Sequence, residues 1–177
     1  PDVSADPNEH ALRHEAFCGV LADVAITASD AADFLTRAVE FVNDDVWGSL
    51  SCNVVIDPRT ERAMEGTLGE AVARLHYGGV AVNTWSSVLF GIGTTSWGAF
   101  PGNQPEDVGS GIGWVGNALL FDRPQKSVAY GAFTQWPIPP WFGGHRSLGA
   151  LGPRWTDLEA APSWARLIPF AAAALRG

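Results

Sequence analysis

The residue types that most often carry out chemistry are few in this sequence and lie far apart. Its four histidines and two cysteines form no HExxH motif and no cysteine cluster, so we expect no metal site. A GxSxG nucleophile elbow and a GxxxxGK[ST] phosphate loop are also missing. The closest glycine-rich stretch, residues 109–113 (GSGIG), follows no strand of a βαβ unit, which favours a tight turn into a helix over a dinucleotide-binding loop.

Cys18 is the candidate nucleophile that the residues themselves suggest. His14 lies one turn before it if the segment is helical, and a neighbouring base is what activates a thiol. The competing interpretation, typical of free cysteines in apolar surroundings, is that Cys18 and Cys52 are buried, reduced thiols of a cytosolic protein. The labelling rate of the thiol at neutral pH distinguishes these two hypotheses.

The elements that would position these residues alternate between strand and helix in the first half of the chain. Spacings of three and four predict a helix that is capped by Ser29 or Asp30 and ends near residues 43–44. A second helix is predicted to begin at Thr60 and to be stopped by residues 78–79. Apolar runs predict strands at residues 20–27, 51–56 and 80–84. We therefore expect an α/β fold with a parallel βαβαβ unit.

The second half of the chain has a different composition. Residues 85–106 are rich in glycine, proline and aromatic residues and are too long for an ordinary connection, which predicts a functional loop beside a site. We expect a helix in the later part of residues 107–120 and a lone strand at residues 126–133. An irregular tail follows, with helix in residues 155–176, Pro162 in a first turn and Pro169 at a kink or a break. The predicted organisation is residues 1–106, 107–133 and 134–177.

Charge and composition exclude some classes of partner. The chain has 11 basic and 19 acidic residues, a net charge of -8, and no basic stripe, so we expect no nucleic acid partner. It has no run of 18 apolar residues and no signal-peptide pattern at its start, so we expect no membrane partner and a cytoplasmic location. The tryptophans of the tail, at positions 136, 141 and 155, predict an interface, although such a tail could also pack on its own domain.

Several segments resemble the C-terminal portion of the aldehyde dehydrogenase superfamily. Their order and separations match the family, and the resemblance covers residues 8–131. It implies an aldehyde-dehydrogenase-like catalytic domain, an oxidoreductase that uses NAD or NADP, and no metal. The matching segments are residues 14–20 (HEAFCGV, family EExFGPV), 38–50 (AVEFVNDDVWGSL, family AxxxANDxxYGL), 78–83 (GGVAVN, family GxVxVN), 97–99 (WGA, family FGG) and 110–111 (SG, family SG).

The resemblance also implies roles for five residues. Glu15 corresponds to the glutamate that holds the nicotinamide ribose, and Phe17 to the aromatic residue near the nicotinamide. Without the resemblance, a surface carboxylate and a core aromatic would be expected there. The loop 85–99 would line the substrate pocket, with Trp85, Phe90 and Trp97 as its aromatic wall.

The catalytic residues of the family are missing from this sequence. The nucleophilic cysteine, the general-base glutamate, the oxyanion-hole asparagine and the cofactor-binding domain all lie upstream of these segments, and neither Cys18 nor Cys52 matches the nucleophile's GQxC setting. We therefore expect the C-terminal portion of an NAD(P)-dependent aldehyde dehydrogenase, inactive as an isolated fragment. Its partners would be the missing N-terminal part, a small aldehyde, and further copies of itself joined through residues 126–132. The alternative is a stand-alone, non-catalytic binding or assembly module with the same scaffold.

Overall fold

The chain forms two compact units, Pro1–Gly131 and Ala132–Gly177. The computed structural model describes residue 6 and residues 8–64, 66–117 and 119–177; residues 1–5, 7, 65 and 118, which several predicted elements include, lie outside the described residues. Unit 1 contains α1 (His10–Arg13), α2 (Ala31–Asp44), β1 (Ser51–Val54), α3 (Pro58–Ala63), α4 (Thr67–Arg74), β2 (Gly79–Val82), α5 (Val88–Ile92), β3 (Trp97–Gly98), β4 (Trp114–Val115) and β5 (Ser127–Tyr130), and unit 2 contains α6 (Leu148–Ala160) and α7 (Trp164–Ala174). None of the helices in the described ranges is long and apolar enough to cross a bilayer.

A three-stranded parallel sheet forms the centre of unit 1, with strand order β1-β2-β5. Val54 of β1 is level with Val82 of β2, and Gly79 of β2 is level with Ser127 of β5. All four residues of β2 are buried, as expected for the central strand of a parallel sheet. The prediction of an α/β fold is therefore confirmed at the level of a mixed α/β protein with a small parallel sheet.

Helix α2 agrees with its prediction because its start is encoded locally. The Asp30 side chain accepts a hydrogen bond from the Asp33 backbone N–H, and this cap satisfies a first-turn donor that has no helical partner. Arg37 pairs with Asp33 one turn later, which lowers the pKa of that carboxyl. The apolar face of α2, including Val39, packs on the core formed with α4 and the sheet.

The predicted helix from Thr60 is in fact two helices, α3 and α4. Asp57 caps α3 by accepting hydrogen bonds from the first-turn amides, so this helix begins at Pro58. Gly66 then has a φ of +94°, a left-handed conformation that interrupts the helical pattern. The prediction that residues 78–79 stop the helix is wrong, because α4 already ends at Arg74 and Gly79 belongs to β2.

The strand predicted at residues 20–27 is wrong. Only Asp23 makes an isolated bridge there, and the segment otherwise runs without a ladder. Its apolar, β-branched composition is that of a strand, but a strand requires a neighbouring backbone to exchange hydrogen bonds with. The described residues supply no such neighbour, so the observed parallel sheet lacks the first strand of the predicted βαβαβ unit.

The helix predicted in residues 107–120 is also wrong. Four glycines of this segment, at positions 109, 111, 113 and 116, have positive φ values that an α-helix does not allow. The segment turns repeatedly and contributes β4, which pairs antiparallel with β3. The strand predicted at residues 126–133 is confirmed as β5, but the expectation that it stands alone is wrong, because it pairs with β2 in the same unit.

Unit 2 contains the helices α6 and α7. Trp155 and Phe170 meet edge to face with ring centroids 5.3 Å apart, and the buried ring of His145 is 3.1 Å from the Ala174 carbonyl. Pro162 precedes the α7 N-cap instead of occupying a first turn, which corrects the prediction. Pro169 lies inside the helix, which continues through it.

Candidate functional site

The aromatic residues predicted to line a pocket lie on the segment that follows β2. Trp85 comes three residues after the strand, Phe90 lies in α5, and Trp97 begins β3. The Phe90 and Trp97 rings meet edge to face with centroids 6.1 Å apart, a favourable aromatic geometry. Trp85 is 49% exposed and Phe90 is 61% exposed, so both present apolar surface outward. We call residues 85–97 the aromatic loop.

The aromatic loop is attached to the sheet through a buried serine. The Ser86 backbone N–H donates to Asn53 Oδ1 over 2.9 Å, and the Ser86 hydroxyl donates to Ser51 Oγ over 3.1 Å. Asn53 and Ser51 belong to β1, while Ser86 is only 4% exposed. These hydrogen bonds hold the start of the loop against a rigid strand, which restricts the position of the neighbouring Trp85.

The far end of the loop is attached in a similar way. The hydroxyls of Ser96 and Ser127 are 2.9 Å apart, which links the loop to β5. Within the loop, the Thr95 hydroxyl donates to the Leu89 carbonyl, and the Leu89 side chain is almost completely buried. The polar groups of Ser86, Thr95 and Ser96 are thus used for internal hydrogen bonds.

The residues of the GxVxVN-like segment meet strict backbone requirements at both ends of β2. Asn83 has a φ of +56°, and its Oδ1 accepts a hydrogen bond from the Ile56 backbone N–H over 2.9 Å. Asparagine is one of the few residues with a side chain that tolerates this conformation. At the other end, a Cβ on Gly78 would overlap the Gly98 carbonyl oxygen, so only glycine fits.

Asn43, in the AxxxANDxxYGL-like segment, connects the end of α2 to the turn before β2. Its Nδ2 donates to the Arg74 carbonyl over 2.9 Å, and its Oδ1 accepts from the His76 backbone N–H over 2.8 Å. Ser110 makes a comparable connection, since its hydroxyl accepts from the Ser49 backbone N–H over 2.9 Å. These side chains satisfy backbone groups that secondary structure leaves unpaired.

The two residues predicted to contact a cofactor lie between α1 and residue 20. Glu15 is exposed and makes no hydrogen bond or ion pair to any described residue. Phe17 is 92% exposed. Their roles remain predictions, because no contact within the described chain connects either of them to the aromatic loop.

The hypothesis of a Cys18–His14 pair finds no support in the geometry. Helix α1 ends at Arg13 and His14 is extended, so the two residues are not one helical turn apart. The His14 ring stacks on His10 at 3.9 Å, and Cys18 is exposed. The expectation of a buried thiol is therefore wrong for Cys18.

Cys52 lines an apolar cavity of about 280 Å³ between α2 and β1. Burial raises the pKa of its thiol, which opposes formation of a nucleophilic thiolate. Across the described ranges, no group of three His, Cys, Asp or Glu side chains is arranged to hold a metal ion. The cavity is lined mainly by the side chains of Phe34, Leu35, Val39, Val54 and Met64.

Lys126 stabilises the helix that packs behind β2. Its Nζ donates to the carbonyls of Val72 and Ala73 over 3.0 and 2.8 Å and also to the carbonyl of Leu75. The same ammonium lies 5.4 Å from the centroid of the Phe100 ring. Burial lowers the pKa of this group, whereas the negative end of α4 favours its charged form.

Sequence reasoning missed Asn53, Ser86 and Lys126 as positioning residues. A polar Asn within the apolar run SCNVVI was a usable signal, because its side-chain amide can hydrogen-bond to groups outside the strand ladder. The partners of Lys126 lie more than 50 positions away and carry no local signature.

The fold and the site define a mixed α/β protein in which an aromatic, uncharged loop is held by hydrogen bonds to the outer strands β1 and β5 of a parallel sheet. Comparison with known proteins adds no relative: no protein-family model matches the sequence, and neither a curated protein nor a solved structure matches it.

Proposed function

We propose that this chain is the C-terminal portion of an NAD(P)-dependent aldehyde dehydrogenase and is inactive as an isolated fragment. The enzyme would oxidise an aldehyde to a carboxylic acid, with water as the source of the second oxygen and the oxidised nicotinamide as the hydride acceptor. The nucleophile would come from the N-terminal part.

The observation that carries this proposal is the structural role of two asparagines in segments that resemble the family. Asn43 and Asn83 lie in two of the matching segments, and each makes a side-chain hydrogen bond that holds a turn at one end of β2. Gly78, Gly98 and Ser110, also in matching segments, lie where backbones approach closely or need an acceptor. These structural roles of residues in the family-like segments support the proposal of an aldehyde-dehydrogenase-like βαβ unit.

The residues proposed to bind the cofactor have the exposure this requires. The Glu15 carboxylate has no partner among the described residues and could accept hydrogen bonds from two ribose hydroxyls. The exposed Phe17 ring could pack against the nicotinamide. When bound, NAD or NADP supplies the hydride acceptor; the residues of this chain supply orientation and exclude water.

The test is made on the full-length protein. Formation of NADH or NADPH is measured with a panel of aldehydes for the wild type, for Glu15→Gln and for the control Glu106→Gln, which alters an exposed carboxylate in a turn. Loss of a charge-assisted hydrogen bond should raise the KM for the cofactor about 10–100-fold in Glu15→Gln alone. Unchanged cofactor affinity and hydride transfer in that variant would show that the role given to Glu15 is wrong.

A stand-alone, non-catalytic binding or assembly module is the second candidate. It is favoured by the exposed indoles of unit 2, since Trp136 is 86% exposed and Trp164 is 78% exposed. An antibody against residues 162–177 distinguishes the candidates through the mass of the native protein. A band far above 18.8 kDa supports the enzyme, whereas a band at 18.8 kDa supports the module.

Self-association through residues 126–132 is part of the same proposal. One side of β5 pairs with β2, and β5 forms an edge of the sheet as the described residues show it. An edge strand can pair with a second copy of the chain.

A further inference from the structure

The aromatic loop lies within the longest part of the chain without a formal charge. Residues 75–105 contain no Asp, Glu, Lys or Arg. A substrate with a carboxylate or a phosphate requires a cationic or strongly hydrogen-bonding partner, because removing such a group from water is costly. The loop contains no cationic side chain for that purpose.

Two polar side chains of the loop are already used for internal hydrogen bonds. Ser86 and Ser96 are both buried, and their hydroxyls are used for hydrogen bonds to Ser51 and Ser127. The exposed part of the loop consists largely of carbon, with Phe90 61% exposed and Ile92 50% exposed.

The neighbouring strand extends this apolar surface. Trp97 is directly opposite Val115 in the antiparallel pair of β3 and β4, so their side chains share one face. Val115 is half exposed. The edge-to-face contact of Phe90 with Trp97 joins the side chains of α5 to that face.

We propose that the aldehyde accepted at the aromatic loop is uncharged and apolar, with an aromatic or medium-length alkyl group. This inference rests on the proposed function. An aldehyde that carries a second carboxylate would lose hydration at this surface without gaining a partner. The loop therefore selects aldehydes by the amount of apolar surface that they bury against it, and it excludes anionic aldehydes.

The experiment compares hexanal, benzaldehyde and succinic semialdehyde as substrates of the full-length protein with NAD and with NADP. We expect kcat/KM for hexanal and benzaldehyde to exceed that for succinic semialdehyde by at least about 100-fold. Phe90→Ala should lower kcat/KM for hexanal about 10-fold, since it removes exposed apolar contact without touching the core. Phe90→Arg should raise kcat/KM for succinic semialdehyde about 10-fold by supplying a cation.

Ile168→Ala is the control, because it removes an exposed apolar side chain from α7 of unit 2, and it should leave all three kcat/KM values unchanged. An enzyme that oxidises succinic semialdehyde as well as hexanal overturns the inference and leaves the proposed function standing. A protein that oxidises none of the three aldehydes with either cofactor refutes the proposed function and this inference with it.

Discussion

Asn83 offers a test in which two energetic contributions can be separated. Its side chain accepts the hydrogen bond of the Ile56 amide over 2.9 Å, and its backbone has a φ of +56°. Asn83→Gly removes the acceptor but tolerates the backbone conformation. Because Ile56 is only 8% exposed, its N–H is left largely without water, at a cost of about 1–2 kcal/mol.

Asn83→Ala removes the same acceptor and also places a Cβ in the left-handed region, which adds about 1 kcal/mol. We therefore expect losses in the free energy of unfolding of about 1–2 kcal/mol for Asn83→Gly and about 2–3 kcal/mol for Asn83→Ala. Asn83→Asp keeps an acceptor and should cost less than about 1 kcal/mol.

Urea unfolding gives the free energies, and amide hydrogen exchange at Ile56 reports the local bond. Exchange at Ile56 should accelerate in Asn83→Gly and Asn83→Ala and change little in Asn83→Asp. If Asn83→Gly and Asn83→Ala were equally unstable, the backbone contribution would be refuted. If Asn83→Gly matched the wild type in both measurements, the hydrogen bond would have no energetic role.

Three further predictions concern unit 1. Gly78→Ala should destabilise unit 1 by at least about 3 kcal/mol in urea unfolding, because the new Cβ overlaps the Gly98 carbonyl. The control Gly69→Ala places its Cβ in open space on α4 and should stabilise unit 1 by about 0.5–1 kcal/mol. Similar effects of the two substitutions would contradict the close approach of Gly78 to the Gly98 carbonyl. Burial raises the pKa of Tyr77 to about 12 from 10.0, so the folded state should lose stability as the pH rises from 10 to 12, and Tyr77→Phe should remove that loss in alkaline unfolding curves. Hydrogen bonds from Thr60 and the first-turn amides of α3 lower the pKa of Asp57. Its carboxylate therefore contributes fully to the free energy of unfolding above the ordinary pKa of 3.8, and this contribution is lost as the pH falls through the lowered pKa. Asp57→Asn should flatten this part of the acid unfolding curve, and an unchanged curve would count against the cap.

The parts of the fold that local chemistry determines could be predicted from the sequence. Asp30 can cap only a helix that begins directly after it, and the apolar spacing of α2 then defines the buried face. The runs at β1 and β2 are short and β-branched and lie between turn residues, so both strands were predicted to within two residues of their observed ends. Each of these signals lies within or directly beside the element that it specifies.

The wrong predictions depend on information that is not local. Residues 20–27 have the composition of a strand but lack a neighbouring backbone in the described chain. The apolar pattern continues from α3 into α4, although α3 ends at Ala63 and the left-handed Gly66 is the N-cap of α4, so periodicity alone could not detect the break. The pairing of β5 with β2 joins residues 48 positions apart, as at Gly79 and Ser127, and no local pattern specifies such a partner.

The sequence predicted which aromatic residues form the candidate site but not the hydrogen bonds that hold them in place. Aromatic richness and unusual length identified the loop around Phe90, and the structure brings Phe90 and Trp97 together. The hydrogen bonds that hold the loop, such as Ser86 to Asn53, join side chains whose pairing depends on the folded sheet. The roles of Glu15 and Phe17 come from the resemblance alone and remain predictions.

The placement of Lys126 gives this protein a built-in reporter of local opening. It is the sole lysine of the sequence, and it lies directly before β5, five residues before the boundary between the two units. Within this sequence, a protease specific for lysine therefore has one peptide bond to cut, and the native ammonium is held by the carbonyls of Val72 and Ala73 in α4 and by that of Leu75, its C-cap residue. Cleavage into residues 1–126 and 127–177 would require this segment to detach, so the rate of digestion under native conditions measures how often the sheet releases β5.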